Sequence, residues 1–430
     1  MALDPEELKR QRQLRRQQRE KKQQQFRRLM VRLGIAGAVL LLCGGLIFSL
    51  SSRNPEKPSA EDSGTDLPVT NVQTQQETEN PSETKAPTTV IHLTAAGDLN
   101  INDGVVASGN PQYDYTETFM DVAHLFADAD IAVVNLEGNL SGTPYGTETR
   151  SAPQELARAL GNAGVDFVQL ANSYAINHGI SGLRQTINSV REAGMEPLGV
   201  YADEGEFKDG KGYVIREIDG ISVALVAFTK GMDGMALPAG SENCVNVLYK
   251  DYDSTYQNVD TQKITGILET VAKEEPDITI AFLHWGSEFN NTISKSQEQI
   301  VKLFQGQGVD AIIGTHSHYV QKMEYDPETG NFVAYSLGDF FGDAQRAGTE
   351  YAVMLDLEIT KDNIAGQTKI TNYSYTPIFT VTEKKAPVGV VRIEQAMEAY
   401  QNQHISRVSQ ENYADMQYAM ERIPARIAGE

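Results

Sequence analysis

From Thr89 onward, apolar runs of strand length alternate with segments of helical periodicity, and this alternation constrains the fold more than any other feature of the sequence. The strand-like runs separated by helical segments are 90–96, 131–134, 166–171, 278–283 and 309–313. Between about 332 and 375, further strand-like runs follow one another without helices, as antiparallel strands do. The pattern therefore predicts an α/β domain with a mixed sheet or two packed sheets.

Polar side chains follow the ends of these runs. They are Asp98, Asn135 and Glu137, Asn172, His284, and finally His316 and His318. Open α/β sheets place their sites at the carboxyl ends of strands, and clustered imidazoles and carboxylates are typical metal ligands. Any one of the three histidines alone could equally be a hydrogen-bonded loop residue. Their shared position at strand ends favours a metal site. The predicted ligands of a divalent ion (Mn, Zn, Mg or Fe) are Asp98, Glu137, His284, His316 and His318.

The N-terminal 88 residues have a different composition from the rest of the chain. Residues 1–32 contain eleven basic and four acidic side chains, and residues 33–50 carry no charge. Eighteen helical residues extend roughly 27 Å, enough for a bilayer core. We expect a basic cytoplasmic tail, a transmembrane helix over 33–50 and an external C-terminal part. A cleaved signal peptide is the alternative. Residues 51–88, rich in Ser, Thr, Pro, Glu and Gln, are expected to form a disordered stalk.

The charge distribution limits the partners. The formal net charge is −21, and residues 1–50 contribute a surplus of seven positive charges, so residues 51–430 carry −28. This acidity argues against nucleic acid as a partner. It also disfavours an anionic polymer unless a metal ion or a local basic patch offsets the field.

The remainder of the chain is predicted to be one large domain over 89–383 followed by a helical C-terminal tail over 384–430. A hairpin turn is expected at Asp219-Gly220, between two strand-like runs. Neither a nucleophilic-serine elbow nor a phosphate-binding glycine loop is evident in the sequence.

Six short motifs occur in the order of a known family. They are Gly97-Asp98, Asn135-Leu136-Glu137, Leu170-Ala171-Asn172, His284-Trp285-Gly286-x-Glu288, Gly314-Thr315-His316-Ser317-His318 and Ser336-Leu337-Gly338-Asp339-Phe340. Over residues 89–380 the chain resembles the poly-γ-glutamate capsule-synthesis (CapA) family, which is similar to the calcineurin-like metallophosphoesterases. The resemblance implies a four-layer α/β/β/α sandwich, metallophosphoesterase-like, in a membrane-anchored protein of a bacterial envelope polymer system.

Individual residues in and near these motifs have candidate roles. The candidates for catalysis are His284, Glu288, which could equally face solvent, and His178, which would substitute for the family histidine. The candidates for substrate binding are Trp285, Asn172 and Asp339, although packing under the site is the favoured role of Trp285. The family pattern Asn-Asn-His appears here as Asn172-Ser173-Tyr174. In the family that second Asn binds metal and the His assists the leaving group, so Ser173 and Tyr174 would leave a two-metal centre without these two contributions.

Three functions remain open at this stage. The first is a membrane-anchored, extracellular protein of capsule synthesis or export, with capsule-synthase membrane subunits and an envelope polymer as partners. The second is a metal-dependent hydrolase or phosphoesterase acting on an envelope polymer. The third is a binding module without catalysis, suggested by Ser173, Tyr174 and Asn177.

Overall fold

The computed structural model of the protein describes residues 87–344, 346–384, 386–404 and 407–430. The strands are β1 (Thr88–Asn100), β2 (Ile131–Glu137), β3 (Phe167–Gln169), β4 (Glu196–Leu198), β5 (Val214–Ile218), β6 (Ile221–Thr229), β7 (Ile278–His284), β8 (Ala311–Thr315), β9 (Met323–Tyr325), β10 (Phe332–Ala334), β11 (Asp339–Phe341), β12 (Tyr351–Asp362), β13 (Gln367–Glu383) and β14 (Ala386–Arg392). The helices are α1 (Asp103–Ser108), α2 (Thr116–Phe119), α3 (Ala123–Asp128), α4 (Glu155–Ala163), α5 (Gly179–Glu192), α6 (Glu204–Gly210), α7 (Thr261–Lys273), α8 (Lys295–Gly306), α9 (Ile393–Gln401) and α10 (Gln410–Ala428).

These strands form two mixed sheets. The first has the order β14-β13-β12-β1-β2-β3-β4, with β11 also paired to β1, and the second has the order β5-β6-β7-β8-β10-β9. Strands β1 to β4 run parallel, as do β6, β7, β8 and β10, whereas β12 to β14 are antiparallel additions. The predicted α/β class is therefore confirmed.

The two sheets pack face to face around an apolar core. Side chains of β1 and β2, such as Leu93 and Val133, share this core with Leu225, Ile280 and Ile313 of the second sheet. Strands buried on both faces read as continuous apolar runs, which is why the sequence pattern marked them so clearly.

Helices cover the outer face of each sheet. Apolar side chains of α4 and α5, including Leu160 and Ile187, pack with outward-facing residues of the first sheet. Residues of α7 and α8, including Leu268 and Phe304, do the same on the second sheet. Ser294 caps α8 through a reciprocal capping box with Gln297. The result is a layered helix–sheet–sheet–helix arrangement.

Between β1 and β2, the two short helices α2 and α3 place Phe119 and Phe126 against the ring of Phe340. One segment differs from the sequence prediction. The stretch predicted as a helical tail, 384–430, begins instead with β14, which pairs with β13 and buries Val390. The tail boundary is therefore wrong, because residues 386–392 complete the first sheet before α9 and α10 begin.

The predicted N-terminal elements lie outside the described residues. This applies to the basic tail over 1–32, the transmembrane helix over 33–50 and nearly all of the stalk over 51–88. Among the helices that are described, none combines the length and apolarity needed to cross a bilayer.

Candidate metal centre

The carboxyl ends of parallel strands from both sheets meet at one rim of the molecule, and five ionisable side chains converge there. Asp98 and Glu137 come from the ends of β1 and β2, His284 from the end of β7, and His316 and His318 from the turn after β8. Each of these residues is at most 3% exposed. The structure thus brings together all five side chains predicted to bind metal.

The two carboxylates have contrasting environments. Asp98 Oδ1 accepts a hydrogen bond of 2.5 Å from Asn135 Nδ2, and Asp98 Oδ2 accepts one of 2.9 Å from the backbone N–H of His316. Glu137 is equally buried, and neither of its carboxylate oxygens has a hydrogen bond of regular geometry, although the nearby Ser173 hydroxyl lowers its pKa against burial. A buried carboxylate without partners is costly, so Glu137 is suited to a cation at this position.

Two imidazoles lie beside Glu137. His284 Nε2 is 3.2 Å from Glu137 Oε1, without hydrogen-bond geometry, and 3.0 Å from Ser173 Oγ. On the other side of the ring, His284 Nδ1 is 3.0 Å from Thr315 Oγ1. The His316 ring centroid is 4.4 Å from that of His284, and His316 Nε2 has no hydrogen-bond partner. An unpaired imidazole nitrogen therefore joins the unpaired carboxylate oxygens.

His318 completes the cluster and is held from both sides. Its Nδ1 is 2.7 Å from Asp339 Oδ1, and Phe289 stacks on the ring with centroids 4.9 Å apart. Its Nε2 lies 3.9 Å from Glu137 Oε2. A carboxylate on one nitrogen of an imidazole fixes the ring and leaves the other nitrogen for a ligand, which is a common arrangement around metals.

The turn that carries the two histidines has an unusual backbone. His316 and His318 have φ angles of 92° and 61°, in the left-handed region that side chains with a Cβ atom rarely adopt. Such conformations cost on the order of 1–3 kcal/mol each and cluster at functional sites. The turn aims the imidazoles at the rim at the expense of stability.

Burial sets the protonation of His284 and His316. Desolvation lowers the pKa of His284 to about 4, although the charge of Asp98 opposes it. Desolvation and the neighbouring His284 lower the pKa of His316 well below its ordinary value. Both rings are therefore neutral near pH 7, which is the form that binds metal.

The pKa values of the two carboxylates and of His318 are raised rather than lowered. Burial, followed by the charge of Glu137, raises the pKa of Asp98 to about 7, and burial also raises the pKa of Glu137 against the pull of His318. Burial alone would lower the pKa of His318, but Asp339 and Glu137 raise it well above its ordinary value. The carboxylates repel each other, and a cation between them would relieve this repulsion.

Two overlapping groups of side chains among the described residues have the geometry of a metal site. Glu137, His284 and His316 form one group, and Asp98, Glu137 and His318 form the other. Within each group the potential ligand atoms all lie within 4.8 Å of one another. The unpaired atoms of Glu137 and His316 belong to these groups, so the donor set fits a divalent metal ion.

Two residues predicted to bind substrate have structural surroundings instead. The Asn172 amide donates to Asn135 Oδ1 at 3.2 Å and to the Leu136 carbonyl at 2.7 Å, and its oxygen accepts from the Tyr174 N–H. Trp285 is fully buried, stacks on Tyr335 and donates to the Tyr335 carbonyl. These contacts correct the sequence prediction: Asn172 positions Asn135, and Trp285 packs in the core behind the centre.

Three further candidates have different placements. Asp339, predicted to bind substrate, is buried and orients His318. The Nε2 atom of His178, a predicted catalytic residue, is 2.9 Å from the carbonyl oxygen of Thr149 in a neighbouring loop. Glu288 is exposed in the turn after β7, and its charge acts on the pKa of His284. Of the three, only Glu288 keeps a position suited to a substrate.

Residues without a predicted role also line the centre. Ser173 Oγ lies between His284 Nε2 and His316 Nδ1, at 3.0 and 3.4 Å. Asn135 and Thr315 contact the opposite nitrogen of His284, at 3.3 and 3.0 Å. Asn135 and Thr315 both lie at or near strand ends, the same signal that identified the predicted ligands.

The comparison with protein families identifies the group to which this arrangement belongs. Residues 92–344, more than half of the chain, match the family described as bacterial capsule synthesis protein PGA_cap. The chain belongs to this family. The matched stretch contains every residue of the centre from Asp98 to Asp339, as the sequence resemblance had predicted.

Two curated relatives carry similar descriptions. The capsule biosynthesis protein CapA of Bacillus anthracis is 28% identical over 214 residues, which are 50% of this chain and 48% of that protein. The PGA biosynthesis protein CapA of Bacillus subtilis (strain 168) is 22% identical over 278 residues, 63% of this chain and 67% of that one. The similarity to the first relative therefore spans only about half of its length.

Solved structures resemble the chain in backbone arrangement. A phosphatase from Mycoplasma pneumoniae is 15% identical, covers 68% of this chain and 94% of its own, and has a TM-score of 0.41. The calcineurin-like phosphoesterase YfkN from Bacillus subtilis is 16% identical, covers 78% and 100%, and has a TM-score of 0.41.

Proposed function

We propose that this capsule synthesis family member is anchored in the cell membrane and carries out its role through a divalent metal bound at the rim of its two sheets. The observation that carries the proposal is the pair of unpaired oxygens of Glu137, buried among His284, His316 and His318. Such a carboxylate is hard to explain by stability alone, because its burial costs free energy without a compensating hydrogen bond.

The donor set favours some metals over others. Imidazole nitrogens suit Zn and Fe, carboxylates suit Mn, and Mg prefers ligands that are all oxygen. We therefore propose Mn, Fe or Zn rather than Mg. When bound, such an ion polarises a phosphoryl or carbonyl oxygen and makes hydroxide available near neutral pH.

The residues of the chain would position the reacting groups. Asp98 is fixed by Asn135 and by the N–H of His316, and His318 is fixed by Asp339. Glu288 lies at the exposed turn beside His284, where it can accept a proton from a bound substrate or water. This arrangement supports hydrolysis or group transfer on an envelope polymer or a phosphoester.

A binding module without catalysis is the second candidate. Tyr174 occupies the place of the family histidine, and burial raises its pKa further above its ordinary value, which makes it a poor acid near neutral pH. Ser173, in place of the family asparagine, provides only a hydroxyl between two imidazoles. Under this proposal the centre would bind polymer without cleaving it.

The setting that we propose is the outer side of the cell membrane. A helix over 33–50 would anchor the chain with its N-terminus in the cytoplasm, and residues 51–88 would let the domain reach the polymer near the membrane. Poly-γ-glutamate or a related capsule polymer, and the membrane subunits of its synthase, are the proposed partners. The family membership and the composition of residues 1–88 support this setting.

The test combines metal content with capsule formation. The full chain, purified without chelators, should contain a transition metal that the double variant His316→Ala/His318→Ala lacks. His124→Ala, a histidine change on α3 outside the centre, serves as the control and should keep the metal. Capsule lost in cells carrying only the double variant would support the proposed role, whereas normal capsule with that variant would contradict it.

A further inference from the structure

Three cationic side chains from three different loops adjoin the metal centre. They are Arg150 in the loop after β2, Lys230 directly after β6, and Arg346 in the loop after β11. We call these three residues the rim cations. None of them was singled out by the sequence, which predicted only that an anionic partner would require a metal ion or a local basic patch.

Lys230 is connected to the strand end that carries His284. Its backbone N–H donates to the His284 carbonyl at 2.7 Å, and its Nζ donates to the Gly286 carbonyl at 2.9 Å. The ammonium also lies 4.6 Å from the centroid of the Tyr256 ring. The charge of Lys230 contributes to the lowered pKa values of both His284 and His316, so its field reaches the centre.

Arg150 is held on the opposite sheet. Its Nη1 donates to Asn100 Oδ1 at 3.1 Å and to the Ile101 carbonyl at 3.3 Å, and its guanidinium lies 4.6 Å from the centroid of the Tyr174 ring. The Arg150 charge lowers the pKa of Glu137, in opposition to burial. The guanidinium is thus fixed beside the centre by contacts with Asn100 and Tyr174.

Arg346 approaches from the third loop. Its guanidinium lies 3.8 Å from the centroid of the Phe289 ring, and that ring stacks on His318. Arg346 is exposed, whereas His318 beneath Phe289 is 2% exposed. Exposed Arg346 thus contacts the Phe289 ring, and that ring contacts the candidate ligand His318.

Acidic neighbours are present as well. The charges of Glu288 and Asp233 raise the pKa of Lys230, in opposition to burial. The same two charges also raise the pKa of Tyr174, the ring that contacts Arg150. The shared influence of these two carboxylates shows that Lys230 and Tyr174 border one region. The rim cations therefore lie between these two carboxylates and the buried carboxylates of the centre, in a chain whose residues 51–430 carry −28.

We propose that the rim cations bind an anionic group of the substrate, a carboxylate or a phosphoryl group, and so select an anionic substrate for the centre. Arginine presents parallel N–H donors that match either oxyanion, and lysine adds a point charge. The inference rests on the proposed function in one respect, which is that the centre binds a substrate. It also supplies the local basic patch that an acidic domain needs to bind an anionic polymer.

The test measures binding by calorimetry with the full chain after loading with manganese. The probes are a γ-linked glutamate pentamer, the same pentamer with its carboxylates converted to amides, and inorganic phosphate. The variants are Arg150→Gln, Lys230→Gln and Arg346→Gln, and the charge-preserving Arg150→Lys and Lys230→Arg. Arg158→Gln on α4 and Lys302→Gln on α8 are exposed controls with the same change in charge.

We expect each charge-removing variant to weaken binding of an anionic probe about tenfold, since hydrogen bonds to charged groups are the strong ones. The charge-preserving variants should retain part of that binding, the two controls should bind as the unaltered chain does, and the amidated pentamer should bind poorly. If binding of the pentamer requires the rim cations, the substrate is a polymer with carboxylates. If only phosphate binding requires them, the substrate carries a phosphoryl group.

Other outcomes would overturn the inference. Equal binding by the charge-removing variants, equal binding of the amidated pentamer, or no binding of either anion by metal-loaded chain would each contradict it. The proposed metal centre fails separately: if the chain takes up no manganese but still binds an anion through the rim cations, the inference stands without the metal.

Discussion

At the scale of single residues, Glu137 is the side chain around which the centre is organised. It belongs to both candidate ligand groups, and its oxygens face His284 and His318 without hydrogen bonds. Asp98, by contrast, accepts one hydrogen bond on each oxygen, from Asn135 and from the His316 N–H, and His318 is held at Nδ1 by Asp339. This division between positioned ligands and one unpaired carboxylate is typical of a site that binds a cation.

The contact between Asp339 and His318 gives a prediction about affinity. Asp339→Asn removes the charge that orients the imidazole, and we expect metal affinity to fall about 10–100-fold, as for other outer partners of ligating histidines. Metal titration of the full chain measures this. Asp209→Asn, an exposed change on α6, is the matched control. Unchanged affinity for Asp339→Asn would show that His318 is not a ligand.

His92 on β1 gives a prediction about pH. Its Nδ1 is 3.0 Å from Asp356 Oδ1, and this hydrogen bond raises the pKa of His92 from 6.5, against burial. A raised pKa in the folded state means that the stabilisation is complete below pH 6.5 and is lost as pH rises through the folded pKa. Since the side chains are 43% and 34% exposed, screening limits the effect to about 0.5 kcal/mol.

The measurement compares the unfolding free energy of the chain with that of His92→Gln at about pH 5.5 and about pH 8.5. We expect the chain to exceed His92→Gln by more at the lower pH. When both proteins also carry Asp356→Asn, the difference in unfolding free energy between them should no longer depend on pH. A difference that is equal at both pH values would contradict the assignment.

At the scale of elements, the close approach of β1 and β11 sets the geometry of the centre. Asp98 and Asp339 are register partners on these parallel strands, and the Asp98 N–H donates to the Gly338 carbonyl at 3.1 Å. A Cβ atom at Gly97 would lie 1.9 Å from that same carbonyl oxygen. Glycine at position 97 therefore lets the two carboxylates reach the same rim.

A pair of glycine variants tests this contact. Gly97→Ala should separate β1 from Gly338 and destabilise the protein by roughly 1–3 kcal/mol, with loss of metal binding. Gly266→Ala on α7, where a Cβ atom would meet nothing within 4 Å, should instead stabilise it by about 0.4–1 kcal/mol. Denaturant unfolding measures both changes. Equal stability of the two variants would mean that β1 and β11 can move apart freely.

The elements also show which parts of the fold are predictable from sequence. Strands β2, β7 and β8 are buried over their whole length and β6 over all but one residue, and these strands are largely apolar, so their pattern is clear in the sequence. The Asp219-Gly220 turn between β5 and β6 was predicted for the same reason that it forms, since both residues adopt positive φ. Strands β4, β9 and β11 have three residues each, too few for periodicity to show.

The site was predictable only in part. The alternation of strands and helices predicts which strand-end side chains meet and could bind metal. It does not predict which residues of other elements contact those side chains. The sequence does not reveal that β11 lies beside β1, so the contact of Asp339 with His318 was not predicted. Trp285 follows His284 directly, and successive strand residues point to opposite faces, so its burial was foreseeable. Arg150 and Arg346 lie in loops without any periodic signal.

Across the whole molecule, an acidic stretch over 51–430 follows a basic N-terminal segment. Residues 51–430 carry −28, and residues 1–32 contain eleven basic side chains. We propose that this asymmetry reflects two locations, with the basic segment inside the cell and the acidic domain outside. The stalk proposed over 51–88 would separate the domain from the membrane surface.

Deletion of residues 1–50 tests this topology. The shortened chain should leave the membrane fraction and appear in solution, with its metal content unchanged because the centre begins at Asp98. Cell fractionation with metal analysis measures both properties, and a change of three surface lysines that leaves residues 1–50 intact serves as the control. A shortened chain that remains with membranes would contradict the anchor.

The most direct test of the metal centre is anomalous diffraction from crystals of the chain grown with manganese, iron or zinc. We predict a peak at the rim, about 2.0–2.3 Å from an oxygen of Glu137 and from Nε2 of His316. Crystals of the Glu137→Gln variant should lack that peak. Absence of a peak in the unaltered chain, or a peak remote from Glu137, would contradict the account.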